Sequence, residues 1–137
     1  TYDPETEEFV IHTPFKGAWK EYLGNAALHG QAAVVFAQLI TGGPGEEPRG
    51  RGVHCFVVPI RDATGADLPG VTTSDCHYKG GLPGVDNGRI QFDQVRIPRE
   101  NLLNKYADVA EDGTGTVTRI AIGYRGADDS ITLPPPC

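Results

Sequence analysis

The stretch Asn87–Leu103, NGRIQFDQVRIPRENLL, constrains this chain more than any other. Ile90 and Phe92 alternate with Arg89, Gln91 and Asp93, the period-two pattern of a half-buried strand. Val95 and Ile97 continue the alternation on odd rather than even positions. A slip of one residue sends later side chains to the opposite face, so Asp93-Gln94 is expected to hold a bulge or tight turn that lets both halves face one core. Pro98 lacks an N–H, so the strand ends there or lies on an edge.

Other strands follow from similar patterns. Phe9 and Ile11 alternate with Val10 and His12, after a turn signal at Tyr2–Thr6 and before Pro14. Ala32–Ile40, AAVVFAQLI, reads as a buried strand, with a short buried helix the alternative by periodicity. Val53–Ile60, VHCFVVPI, reads as a second buried strand, joined to the first in a long hairpin through Gly42–Gly52. Val71–Tyr78 is a weaker strand. Arg99–Asp112 is the longest run free of Gly and Pro, and Leu102, Leu103, Tyr106, Val109 and Ala110 fit a helical template as well as a loop. Ile120, Ile122 and Tyr124 alternate as a further strand would. With 18 Gly and 11 Pro in 137 residues and no repeat, these elements predict an all-β fold, a small antiparallel barrel or sandwich of about six strands with long loops.

A net charge of −6 without patterning gives no reason to expect nucleic acid or an anionic membrane as partner. No apolar run approaches the roughly 18 residues of a membrane-spanning helix. Cys55, Cys76 and Cys137 are odd in number and lack framework spacing, so reduced thiols in a cytosol-like compartment are expected. The chain has no Met and opens on strand-like sequence, so it is expected to be part of something longer.

Four constellations invite a chemical reading. The loop Gly42–Gly52, GGPGEEPRGRG, is glycine-rich, but a phosphate cradle needs a following helix and a Lys at its end; it reads as a hairpin tip. His54-Cys55 and Cys76-His77 offer four zinc-ligand types, but neighbours on a strand point to opposite faces, and Cys55 among Val53, Phe56 and Val57 reads as a small core residue. Ser74-Asp75-Cys76-His77 contains hydrolase residue types without nucleophile-elbow spacing. The patch Trp19–Asn25, WKEYLGN, places aromatic rings beside a glycine that lets a flat heterocycle approach the backbone; alternatively, Trp19 and Tyr22 are core aromatics.

An ordered set of segments carries a resemblance. TYDPETEEFVIHTP, WKEYLGNAALHGQAAVVFAQLI, GVHCFVVPIRD, LPGV and KGGLPGVDNGRIQFDQVRIPRENLLNKYADV together resemble the middle β-domain of the acyl-CoA dehydrogenases and oxidases. Asp86-Asn87-Gly88 and Asn104-Lys105-Tyr106-Ala107 resemble the oxidase branch. The resemblance covers residues 1–113 and fades over a divergent tail, 114–137. It implies FAD as cofactor, with Tyr22 against the flavin, Gly24 hydrogen-bonding it through the backbone and Asn25 beside them. Dehydrogenases usually carry Trp, then Thr or Ser, at the first two of these places.

It also implies the reaction: a carboxylate takes the α-proton of an acyl-CoA thioester, hydride leaves the β-carbon for the flavin, and oxygen reoxidises the flavin to give hydrogen peroxide. The family's catalytic Glu lies in a helical domain after the β-domain, so no catalytic residue is assigned here. The partners implied are acyl-CoA, the helical domains of the same parent and a second copy in a homodimer. The implied location is the bacterial cytoplasm, or the peroxisome if the source is eukaryotic. The alternatives are an acyl-CoA dehydrogenase domain and a standalone β-barrel binding module without catalysis.

Overall fold

The computed structural model describes residues 1–114. They form eight strands: β1 (Tyr2–Asp3), β2 (Glu8–Ile11), β3 (Lys20–Gly24), β4 (Ala32–Thr41), β5 (Arg49–Pro59), β6 (Val71–Asp75), β7 (Asn87–Phe92) and β8 (Val95–Pro98). All pairings are antiparallel, in three sheets ordered β1-β2-β8, β3-β7-β6 and β4-β5. The all-β sandwich expected from the sequence is the fold observed.

The phase slip joins two of these sheets. Gln94 takes φ 52°, and Asp93 donates its N–H to Gly70 at 2.7 Å. The chain turns there and leaves the sheet of β7 for that of β8. Ile90, Phe92, Val95 and Ile97 all end in one core despite their change of parity. Pro98 closes β8 on the edge of its sheet. Phe9 anchors the core, with Tyr2 and Phe56 rings each 5.1 Å from it at tilted to edge-on angles, the arrangement aromatic quadrupoles favour.

Three expectations need correction. Ala32–Ile40 is a strand, but only alternate residues are buried: Val35 and Leu39 face the core, while Val34 and Phe36 are 57% and 65% exposed. Cys55, paired with Phe36 across the hairpin, shares that outward face and is half-buried, not a core residue.

The second correction concerns the hairpin itself. β5 begins at Arg49, so the connection is shorter than Gly42–Gly52. The third concerns Arg99–Asp112, which is not a helix. A 3₁₀ turn at Arg99–Asn101 leads into an extended crossing of β5, where Leu103 N–H meets the Cys55 carbonyl at 2.9 Å and Asn101 Nδ2 donates to Val57 O at 2.8 Å. Those bonds replace a helical ladder and bury Leu102. The expected strand through Ile120, Ile122 and Tyr124 lies outside the described residues.

Candidate functional site

Two unpaired strand edges face each other across a cleft of about 190 Å³. One wall is Leu23, Gly24 and Asn25 at the end of β3; the other is Ala32–Val35 of β4, with Ile90 and Phe92 as the floor. β3 and β4 are each the last strand of their sheets on this side. Lys20 Nζ crosses the gap to the Phe36 carbonyl at 2.8 Å.

The ladder register decides which peptide groups face the cleft. Asn25 N–H donates to Asp86 O at 2.9 Å, and Cys76 N–H donates to Asn87 O at 3.0 Å. Asn87 therefore directs its carbonyl towards β6, away from β3. In an antiparallel ladder bonded and non-bonded pairs alternate, so the Gly24–Asn87 pair is non-bonded. Gly24 thus turns its N–H and C=O to the free edge. A Cβ added at Gly24 would meet nothing within 4 Å. The same alternation acts across the gap: Cys55 O accepts from Leu103 and Val57 O from Asn101, so Phe36 and Val34, their partners on β4, turn their peptide groups away from β5.

Of the three residues singled out in the sequence, Gly24 and Asn25 line the cleft and Tyr22 does not. Tyr22 sits where the β3–β7 register shifts, at φ 57°, and is 67% exposed. It is a bulge residue, and a bulge re-aims its side chain. Asn25, at φ 62°, takes the left-handed conformation that Asn tolerates better than most residues. Its N–H is used by Asp86, and its carbonyl accepts from Gly30 N–H at 2.6 Å.

Two side chains that the sequence reading passed over hold the loop after Asn25. Asp86 accepts from the N–H groups of Ala27 (3.0 Å), Leu28 (3.2 Å) and His29 (3.1 Å), and meets His29 Nδ1 at 3.0 Å. Burial pushes its carboxyl up, but the bonds from the His29 amide, the Ala27 amide, the His29 ring and the Leu28 amide outweigh it and hold the carboxyl below its ordinary value. Arg61, 6% exposed, donates to the carbonyls of Gly30 (2.8 Å) and Ala26 (2.5 Å) and to Thr73 Oγ1 (2.6 Å), with Asp67 3.4 Å from its Nε.

Linkage gives a testable sign. A carboxyl depressed in the folded state stabilises above its unfolded value, and the contribution is lost as pH falls through the folded value. The melting temperature is expected to fall between about pH 5 and pH 2. Asp86→Asn should make that acid limb shallower without abolishing it, because Asp3, Asp62 and Asp112 are also depressed. An acid limb unchanged by Asp86→Asn in melts across that range would contradict the assignment.

The other constellations do not assemble a site. Gly42–Pro48 is the connection between β4 and β5. No group of three or more His, Cys, Asp or Glu is placed to hold a metal among the described residues. Asp75 Oδ1 accepts from the His77 backbone N–H at 2.9 Å, capping a turn at the end of β6. Among the described residues no helix is long and apolar enough to cross a membrane.

No family profile matches the chain. It is 53% identical over 129 residues to the peroxisomal acyl-coenzyme A oxidase 2 of Arabidopsis thaliana, a match covering 91% of this chain and 18% of that protein. Acyl-CoA oxidase-1 of Caenorhabditis elegans, solved with FAD and ATP, superposes at a TM-score of 0.79 with 40% identity, over 88% of this chain and 18% of that one. Acyl-CoA oxidase 1 of Arabidopsis thaliana superposes at 0.78 with 38% identity, over 85% and 18%. The chain thus spans a little under a fifth of the length of these relatives. Sequence and fold agree over that span, and the chain belongs to the acyl-CoA oxidase family.

Proposed function

We propose that residues 1–113 are the middle β-domain of a flavin-dependent acyl-CoA oxidase and that the β3–β4 cleft forms one wall of its FAD site. The observation that carries this reading is the free edge at Gly24: a peptide N–H and C=O directed into the cleft, with no side chain of its own in the way. A heteroaromatic ring edge bearing both acceptors and donors fits such a pair. The cleft, at about 190 Å³, admits an edge rather than a whole dinucleotide, as one wall of a larger site would. FAD, when bound, supplies the acceptor for the hydride leaving the acyl β-carbon. This chain's residues orient it: Gly24 through its peptide groups, Asn25 by fixing the turn beside it, and the exposed Tyr22 ring by offering stacking area.

The remaining elements of the reading extend the family assignment. The substrate is an acyl-CoA thioester and the electron acceptor is oxygen, giving peroxide during fatty acid β-oxidation. The partners of this domain are the helical domains of the same parent, which bring the α-proton base, and a second copy in a homodimer. The relative from Arabidopsis thaliana is named peroxisomal. This favours the peroxisome over the bacterial cytoplasm, which has no comparable support.

A peroxide assay tests the function. The full-length parent should release hydrogen peroxide in proportion to acyl-CoA consumed, whereas the 137-residue chain with added FAD should release none above a flavin-only control. General-base catalysis needs a group within hydrogen-bond reach of the α-proton, and this reading places that group outside the chain. Turnover by the parent only with a protein electron acceptor would favour the dehydrogenase alternative. Peroxide from the isolated chain would overturn the domain assignment.

A further inference from the structure

We propose that Asp86 and Arg61 are positioning residues for the cofactor wall: they clamp the Asn25–Gly30 loop from its two polar sides and thereby hold the Gly24 peptide groups at the cleft. The proposal rests on the flavin-wall reading above. Asp86 takes the amides of the loop, at Ala27, Leu28 and His29. Arg61 takes its carbonyls, at Ala26 and Gly30.

Neither residue lines the cleft, yet both are tied to the strand end that does. The Asp86 carbonyl accepts the Asn25 N–H, and its neighbour Asn87 stands opposite Gly24 in the ladder. Arg61 is anchored in turn by Thr73 Oγ1, which also donates to Asp67 at 2.9 Å. Five points of the loop backbone are thus fixed by a carboxylate and a guanidinium that are both largely withdrawn from water, the Asp86 side chain being 7% exposed.

Burying such groups is expensive unless every bond is made. Apolar packing could secure the loop without that cost, so a polar clamp is better explained by the geometry it imposes than by stability alone. The planar five-donor fork of Arg bridges two carbonyls and a hydroxyl in a way that a lysine ammonium does not reproduce.

The test uses the full-length protein loaded with FAD, with three readouts: FAD affinity of the folded fraction, the visible absorption of the bound flavin, and the melting temperature of the apo form. Asp86→Asn and Arg61→Lys should each weaken FAD by about tenfold, the size of one charge-assisted bond lost, and shift the flavin absorption. Ile97→Ala, a core truncation in β8 away from the loop, should lower the apo melting temperature while leaving affinity and spectrum unchanged. The clamp is overturned if Asp86→Asn and Arg61→Lys behave like Ile97→Ala, lowering only the melting temperature while Gly24→Val still weakens FAD. If Gly24→Val also leaves FAD affinity unchanged, the flavin-wall reading fails and takes the clamp with it, a pattern distinct from failure of the clamp alone. Should Asp86→Asn not fold, Arg61→Lys gives the same readouts with the same outcomes.

Discussion

Gly88→Ala is expected to destabilise the chain by about 1–3 kcal/mol, the usual cost of overpacking a tight contact. Gly88 lies in β7 where the Asn25–Gly30 loop crosses it. A Cβ there would sit 2.5 Å from the Ala27 nitrogen and 2.8 Å from the Ala26 carbonyl carbon. Both neighbours are backbone, so no side chain can rotate away. The loop itself would have to lift, against the Asp86 bonds on one side and those of Arg61 on the other.

Denaturant unfolding should therefore show a lower midpoint with an unchanged slope, the signature of lost stability without a change in exposed surface. Gly24→Ala serves as the comparison, because nothing lies within 4 Å of its Cβ position, and its midpoint should stay close to that of the parent sequence. Equal midpoints for Gly88→Ala and Gly24→Ala would contradict the described packing of the loop on β7.

The difference between these two glycines was invisible in the sequence. Each stands beside an Asn, in Gly24-Asn25 and Asn87-Gly88, and only the register shows that one is pressed against a loop and the other faces open space. The phase slip at Asp93-Gln94, by contrast, was fully legible. Apolar parity changed from Ile90 and Phe92 to Val95 and Ile97, and the chain answers by turning at Gln94 and changing sheets. The β4–β5 hairpin was legible from its two apolar runs on either side of the glycine-rich loop.

Composition misled where it could not say which face is covered. Ala32–Ile40 is apolar except for Gln38, yet Val34 and Phe36 point outward. β3 escaped notice because its bulge at Tyr22 breaks the alternation by which strands are recognised. β1 is two residues long, below the reach of any periodicity. Leu102 and Val109 are both buried as a helical face would require, but Leu102 is held by an extended crossing of β5, and Val109 gives its N–H to Asp108 and takes a bond from Arg99 at its carbonyl.

The candidate site was legible by likeness more than by physics. Gly24, Tyr22 and Asn25 were marked by the family's segment, and the structure separates their circumstances. Gly24 offers peptide groups to the cleft. Asn25 has its N–H and carbonyl engaged in the turn. Tyr22 stands outside the cleft on a bulge. Asp86 carried a faint signal, as the first residue of the Asp86-Asn87-Gly88 stretch that resembles the oxidase branch. Arg61 carried little, since a buried guanidinium after an apolar strand looks in sequence like the first residue of a loop.

The central claim is that the Gly24 backbone meets the flavin, and Gly24→Val in the full-length parent tests it. The chain itself has room for the valine, so apo stability should change little. Any FAD ring edge at the Gly24 peptide would meet the branched side chain. Overpacking of about 1–3 kcal/mol corresponds to a roughly ten- to hundredfold loss of affinity. Tyr22→Leu should weaken FAD less, since it removes stacking area and leaves the peptide groups in place. Flavin titration of the folded proteins gives the answer: a tenfold or greater loss for Gly24→Val with an unchanged apo melting temperature is the predicted result, and unchanged FAD affinity would contradict the cofactor-wall assignment.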